Sequence, residues 1–225
     1  QKTKTNVSPF VKSQAQALTK EGINVDFFLI KNNGVLGYLK SIRELIHYTE
    51  RREYDIYHAH YSFSGYVASL AKKKPLVVSL LGTDVIKSYF SRLILKLMSS
   101  ICNWRHIIVK SSEMKNLLKI KKIQVVPNGV SFDTFYPINQ KKARSVLNWN
   151  LEEKIVLFNG NKSNPIKNYV LAEKAVRLCK TNIKIVEMKN LDQEKLNLYY
   201  NACDVFLSTS LWEGSPNTIK EAMAC

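Results

Sequence analysis

Two rounds of alternation between short apolar runs and segments of helical period predict an α/β protein whose parallel sheets are wrapped by crossover helices. A Pro127-Asn128-Gly129 turn separates the rounds and predicts a boundary between two domains, 1–129 and 130–225. Composition supplies the third observation. With 45% hydrophobic and 10% aromatic residues in a chain of 225, a core can be buried and disorder is excluded.

In the first domain the strand candidates are 25–30, 55–58, 76–80, 106–109 and 123–126, each rich in β-branched or aromatic residues. Helices fill the gaps. Within 35–53, Val35, Leu36, Leu39, Ile42, Leu45 and Ile46 make one apolar stripe, with Lys40, Arg43, Arg51 and Arg52 off it, so the stripe is expected to face the core. Residues 10–19 read as a helix lying against a strand that the sequence does not contain. In 87–96, Arg92 and Lys96 mingle with Tyr89, Phe90, Leu93, Ile94 and Leu95. A helix lying on a membrane is one reading, and a core-facing helix with basic edges is the commoner case.

The second domain repeats the alternation: helix 141–147, strand 155–158, helix 168–179, strand 183–186, helix 191–202, strand 205–208 and a helix from Pro216. An unfinished helix at Cys225 and a sheet of only three strands make both ends of the chain read as cut.

The net charge of +16 is uneven. Up to Asn128 there are 21 Lys and Arg against 8 Asp and Glu; beyond it, 13 against 10. Such a field favours nucleic acid, an anionic membrane surface or phosphorylated substrates, although a lysine-rich soluble protein has the same composition. No zinc-finger, RRM or KH signature supports a nucleic-acid partner. Cys102, Cys179, Cys203 and Cys225 are scattered without C-x-x-C pairing and read as reduced thiols. No apolar run approaches the ~20 residues of a membrane span, and no secretory signal opens the sequence, so the chain reads as cytoplasmic.

The stretch with most chemistry follows the last strand: Thr209-Ser210-Leu211-Trp212-Glu213-Gly214-Ser215-Pro216-Asn217-Thr218-Ile219-Lys220-Glu221. Ser215 is expected to cap a helix with Pro216 at its first position. The N–H groups of Asn217 and Thr218 then point at a phosphate seat, flanked by the carboxylates of Glu213 and Glu221. A carboxylate accepts bonds from two neighbouring hydroxyls, as ribose or a hexose offers. The loop after strand 155–158 carries Gly160, Lys162 and Lys167 at the carboxyl edge of a parallel strand, where open α/β sheets bind ligands. Two cations there suit a diphosphate. A capped surface helix and an ordinary polar loop are the plain alternatives.

Glu213 and Glu221, seven residues apart around Gly214-Ser215-Pro216, together with Pro127-Asn128-Gly129-Val130, resemble the retaining glycosyltransferases of family 4. The resemblance also runs through His58-Ala59-His60, Gly82-Thr83-Asp84-Val85, Lys167-Asn168 and Asn201-Ala202-Cys203-Asp204-Val205. It implies the GT-B fold, two Rossmann-like halves facing across a cleft, the second holding a nucleotide-sugar and the first the acceptor. Glu221 would bind ribose and Glu213 the donor sugar. Gly214, Ser215, Pro216, Asn217 and Gly160 would line the donor, and Lys167 would clamp the diphosphate together with Lys162, which stands where the family has Arg. His60, Gly82 and Asp84 would lie on the acceptor side. Transfer would retain anomeric configuration without a required metal or cofactor, onto a glycan or lipid-linked acceptor, with the enzyme peripheral at the inner face of the cell membrane. The alternatives are a nucleotide-sugar epimerase of the same architecture and a basic protein binding nucleic acid or a membrane surface.

Overall fold

The computed structural model describes residues 7–31, 34–86, 88–189, 191–213 and 215–225. Two compact units divide the chain, Gln1–Asn128 and Gly129–Cys225.

The first unit contains α1 (Pro9–Lys20), α2 (Gly34–Thr49), β1 (Tyr57–His60), α3 (Ser62–Leu70), β2 (Leu76–Ser79), α4 (Thr83–Ile86), α5 (Tyr89–Ile101), β3 (His106–Val109), α6 (Ser112–Leu118) and β4 (Ile123–Val125). The four strands form a parallel sheet in the order β1-β2-β3-β4. Side chains alternate across a sheet, so the register Ala59↔Val78↔Ile107↔Ile123 stacks four apolar residues on one face. All four are buried, packed with Val67 and Ala68 of α3 and with Trp104. The indole N–H of Trp104 donates to Ser69 Oγ at 2.7 Å, satisfying the one polar atom of an otherwise apolar side chain.

Residues 25–30 are extended but are not the strand their composition predicts. A strand is defined by its partner, and no backbone hydrogen bond ties 24–30 to a neighbour among the described residues. On β1, Tyr57 N–H bonds Pro75 and Tyr61 N–H bonds Ser79, so the intervening backbone groups of His58 and His60 point to the free edge. A cavity of about 650 Å³ is lined by the extended segment and by β1 together. The ladder is missing because that space intervenes.

Two helices also present faces other than those expected. On α2, the buried residues are Gly37, Ser41, Leu45 and Thr49, one row at i+4 spacing, while Val35 and Leu36 are 74% and 82% exposed. Small residues let this row approach its neighbours closely. The hydroxyls of Ser41 and Thr49 are satisfied by the carbonyls of Gly37 and Leu45, so their burial leaves no orphaned group. On α5, only Leu95 and Ser99 are buried, and the larger apolar face is turned to solvent rather than to the core.

The second unit contains α7 (Gln140–Val146), β5 (Lys154–Phe158), a 3-10 turn (Pro165–Lys167), α8 (Tyr169–Arg177), β6 (Ile183–Glu187), α9 (Gln193–Ala202), β7 (Val205–Leu207) and α10 (Asn217–Met223). Its parallel sheet runs β6-β5-β7, and the central strand buries Ile155, Val156, Leu157 and Phe158. A continuous apolar run suits a strand covered on both faces. Arg144 of α7 is buried beneath the sheet edge. Its guanidinium donates to Ala202 and Leu151 carbonyls and at 2.8 Å to Asp204 Oδ2, which also accepts the Ile155 N–H at 2.7 Å. Partial desolvation pushes the Asp204 carboxyl up, but the Ile155 N–H and the Arg144 charge outweigh it and hold its pKa below the ordinary value.

Asp204→Ala leaves the Arg144 guanidinium buried without its carboxylate, and about 3 kcal/mol of stability should be lost in urea unfolding. The lowered pKa sets the sign of the pH effect: the native contribution is full above the ordinary carboxylate range and is lost as pH falls through the folded-state pKa. Asp204→Asn should therefore flatten the acid limb of the stability profile.

Candidate functional site

The carboxyl ends of β5, β6 and β7 gather most of the residues with chemistry. After β5, Asn159 is buried, and its side-chain amide donates to Ser208 Oγ at 2.8 Å, joining the loop after β5 to the loop after β7. Gly160 follows with φ +117°, a conformation natural to glycine. A Cβ at that position would stand 3.1 Å from Lys167 Cγ, so the glycine makes room for the lysine stem. Asn168, left-handed at φ 51°, then turns the chain into α8.

The two loops are stitched together at the backbone. Thr209 Oγ1 donates to the carbonyls of Lys167 and Asn168 at 3.0 and 2.9 Å, and Leu211 N–H donates to Ile166. Their side chains meet as well: Lys167 Nζ lies 2.7 Å from Glu213 Oε1, with the two side chains 20% and 28% exposed. Half-shielded, this pair is stronger than a surface ion pair, since both charges are partly withdrawn from water. Lys162 has a different partner. Its backbone N–H donates to Glu187 Oε2 at 2.8 Å and its ammonium stands 3.6 Å from Oε1 of the same carboxylate, at the end of β6.

Glu221 sits on α10 and accepts a hydrogen bond from Tyr200 Oη at 2.9 Å. Tyr200 is 6% exposed and is held by edge contacts with Phe135 and Phe206, so the donor is rigid. Burial raises the pKa of Glu221, and the tyrosine bond opposes that shift. One residue of the expected cap is displaced: α10 begins at Asn217 with Pro216 as its N-cap, and no side chain caps it. Ser215 lies one residue before that N-cap, and its Oγ accepts from Lys220 Nζ at 2.6 Å. Gly214 lies outside the described residues.

Two contributors carry no motif: Glu187 and Tyr200 are ordinary residue types in ordinary positions. Thr209 and Ser210 open the stretch that ends at Glu221, where the sequence gives them no role of their own. Ser210 Oγ is buried with no partner among the described residues, an orphaned hydroxyl beside the loop that carries Glu213. Among the described residues no three His, Cys, Asp or Glu converge as metal ligands.

The acceptor-side residues of the first unit differ in what they are free to do. His60, at the end of β1, stacks on His58 at 4.4 Å and meets Phe10 edge-on, with its Nδ1 buried and without a hydrogen-bond partner among the described residues. Burial, then His58 and Lys110, pushes its pKa down to about 3, so the imidazole is neutral. Asp84 accepts from the backbone N–H groups of Ser62, Leu81 and Gly82, which commits its carboxylate to shaping the loop. Gly82 turns that loop at φ +124°.

Comparison with solved structures defines the class. Sucrose-phosphate synthase from Thermosynechococcus elongatus is similar with a TM-score of 0.72 at 19% identity, over 96% of this chain and 73% of that one. HepE of Anabaena, solved with UDP and glucose, gives 0.66 at 18% identity, over 93% and 67%. A glycosyltransferase from Rickettsia africae gives 0.61 at 17% identity, over 93% and 65%. The fold is GT-B. The sequence profile of Glycosyltransferase Family 4 matches residues 7–134, more than half of the chain, and the protein belongs to that family. No curated protein matches the sequence.

The Tyr200 hydrogen bond favours the ionised form of Glu221, so Tyr200→Phe should move the Glu221 titration to higher pH in carboxyl ¹³C NMR. An unchanged titration would show that the bond does not form in solution.

Proposed function

We propose that the protein transfers a hexose-type sugar from a nucleotide-diphosphate sugar to a glycan or lipid-linked acceptor, with retention of anomeric configuration, at the inner face of the cell membrane. One observation carries this reading: in a family 4 chain, Lys167 and Glu213 meet at 2.7 Å over Gly160, on two loops that end adjacent parallel strands. HepE supports the donor class, since its structure holds UDP and glucose.

In the proposed mechanism the diphosphate takes the place of Glu213 beside Lys167. The ammonium then neutralises charge developing on the leaving group, with Lys162 as the second cation. Both lysines rest paired with carboxylates, so an arriving diphosphate exchanges one anion for another instead of stripping water from a bare cation. Released from Lys167, Glu213 accepts hydroxyls of the donor sugar. Glu221, oriented by Tyr200, accepts the ribose hydroxyls. Ser215, Pro216 and Asn217 line the phosphates between the two carboxylates. On the acceptor side, His60 offers a neutral imidazole, and Gly82 and Asp84 hold the loop beside it.

Saturation-transfer NMR against UDP, GDP and their hexose conjugates tests the donor site. Lys167→Ala and Glu221→Ala should each weaken binding at least ~10-fold, about 1.4 kcal/mol. A folded protein that gives no nucleotide signal, or variants that bind like the parent, would overturn the reading. The anomeric configuration of the product, read by proton NMR, tests retention.

A further inference from the structure

The helix α5 has the amphipathic pattern of a core helix and the exposure of something else. Tyr89, Phe90, Leu93, Leu97 and Ile101 are 76%, 67%, 51%, 58% and 69% exposed, and Ile94 is 36%. At 100° per residue these six side chains span an arc of roughly 140°. Leu95 and Ser99, both buried, lie opposite and anchor the helix to its own unit. Isolated apolar residues on a surface are ordinary; a continuous arc on one helix is an interaction surface.

Charge identifies what covers it. Arg92 and Lys96 sit directly beyond Tyr89 at one border of the arc, and no Asp or Glu occurs anywhere in 85–112, a stretch that also carries Lys87 and Arg105, its remaining cation Lys110 being buried. Arg92 is held at that border by a bond to the Val85 carbonyl at 3.1 Å, its guanidinium 5.7 Å from the Tyr89 ring centre. An acid-free apolar arc with cations at its border complements an anionic lipid surface, where apolar side chains enter the headgroup boundary and Lys and Arg meet the phosphates. The 13 residues of α5 extend about 20 Å, too short for the ~30 Å hydrocarbon core. Among the described residues no helix is long and apolar enough to cross a membrane. The geometry is that of a helix lying in the membrane plane.

We propose that α5 docks the protein on an anionic membrane surface through Tyr89, Phe90, Leu93, Leu97 and Ile101, with Arg92 and Lys96 engaging lipid phosphates. The proposal rests on the reading of a membrane-side transferase and names the element that would bring it there. Docking by one unit's helix leaves the candidate donor residues of the other unit uninvolved, so lipid and nucleotide binding are separable by mutation.

Flotation with vesicles tests it. The intact protein should float with phosphatidylcholine vesicles containing half phosphatidylglycerol, and at least tenfold less with pure phosphatidylcholine or in 0.5 M salt. Leu93→Glu combined with Leu97→Glu, and separately Lys96→Glu, should each weaken flotation at least tenfold while leaving the melting temperature and nucleotide NMR signals unchanged. Absence of flotation by the parent, or equal flotation by the variants, overturns the proposal. So does a parent dimer in light scattering that the double substitution dissolves, because a second copy would then cover the arc. Flotation that depends on α5 without any nucleotide signal would retain the docking helix and remove the transferase reading.

Discussion

The position of β7 depends on one buried cation. Arg144 draws together α7, the carbonyl of Leu151, the end of α9 at Ala202 and the first residue before β7, Asp204. Asp204 in turn takes the N–H of Ile155 and so sets β7 against β5. Three strands are a small sheet, and a one-residue slip would turn Phe206, half-buried against Tyr200, to the other face. A guanidinium with several fixed acceptors resists such a slip, because every donor it would lose is buried. The register delivered this way, Phe158↔Leu207, ends both strands together, and the loops carrying Lys167 and Glu213 therefore leave the sheet side by side.

At that edge the electrostatics are arranged in pairs. A bare cluster of Lys162 and Lys167 at the end of a sheet would repel itself and stay strongly hydrated. Glu187 and Glu213 each take one of them, lowering the net charge of the site while keeping both ammonium groups near the loops. The pairs differ in a way that bears on exchange. The Lys162 side chain is 64% exposed, and its carboxylate is also engaged by the Lys162 backbone N–H, so Glu187 is tethered to the loop. The Lys167–Glu213 pair is the shorter and the more shielded of the two, and it joins the loop after β5 to the loop after β7.

How much of this was legible in the sequence follows from the range of each interaction. The paired strands were readable because a buried parallel strand needs only a local apolar run, as in 76–79 or 155–158. Segment 25–30 has the same composition and forms no strand, since pairing belongs to the neighbour as much as to the run. Lys167, Glu213 and Glu221 were readable as chemistry, but the meeting of Lys167 with Glu213, 46 positions apart, was not. Tyr200 was invisible for the converse reason: an aromatic in an amphipathic helix signals a core, and only its hydroxyl, aimed at Glu221, distinguishes it. The cap expected at Ser215 falls one residue later, at Pro216, and the Ser215 hydroxyl that the local pattern assigns to the backbone meets Lys220.

The amphipathic helices carry the same lesson further. Periodicity specifies that a helix has an apolar side; it does not specify which side meets the sheet. In α2 the buried row is Gly37, Ser41, Leu45 and Thr49, because close approach favours small side chains and the two hydroxyls have carbonyls within their own helix to bond. The larger residues are thereby displaced outward. In α5 the same competition is settled by Leu95 and Ser99, four residues apart, and the bulky arc remains outside. The two outward faces nonetheless differ in charge. Glu44 accompanies Lys40 on α2 at 3.8 Å and leaves Arg43 as that helix's one uncompensated cation, whereas α5 carries Arg92 and Lys96 and no acid. An exposed apolar row on a helix that mixes an acid with its cations is compatible with many neighbours, but one bordered only by cations, in a unit already rich in Lys and Arg, selects against cationic and for anionic surfaces. That difference in charge, and not the apolar pattern the two helices share, is what singles out α5 as the docking element.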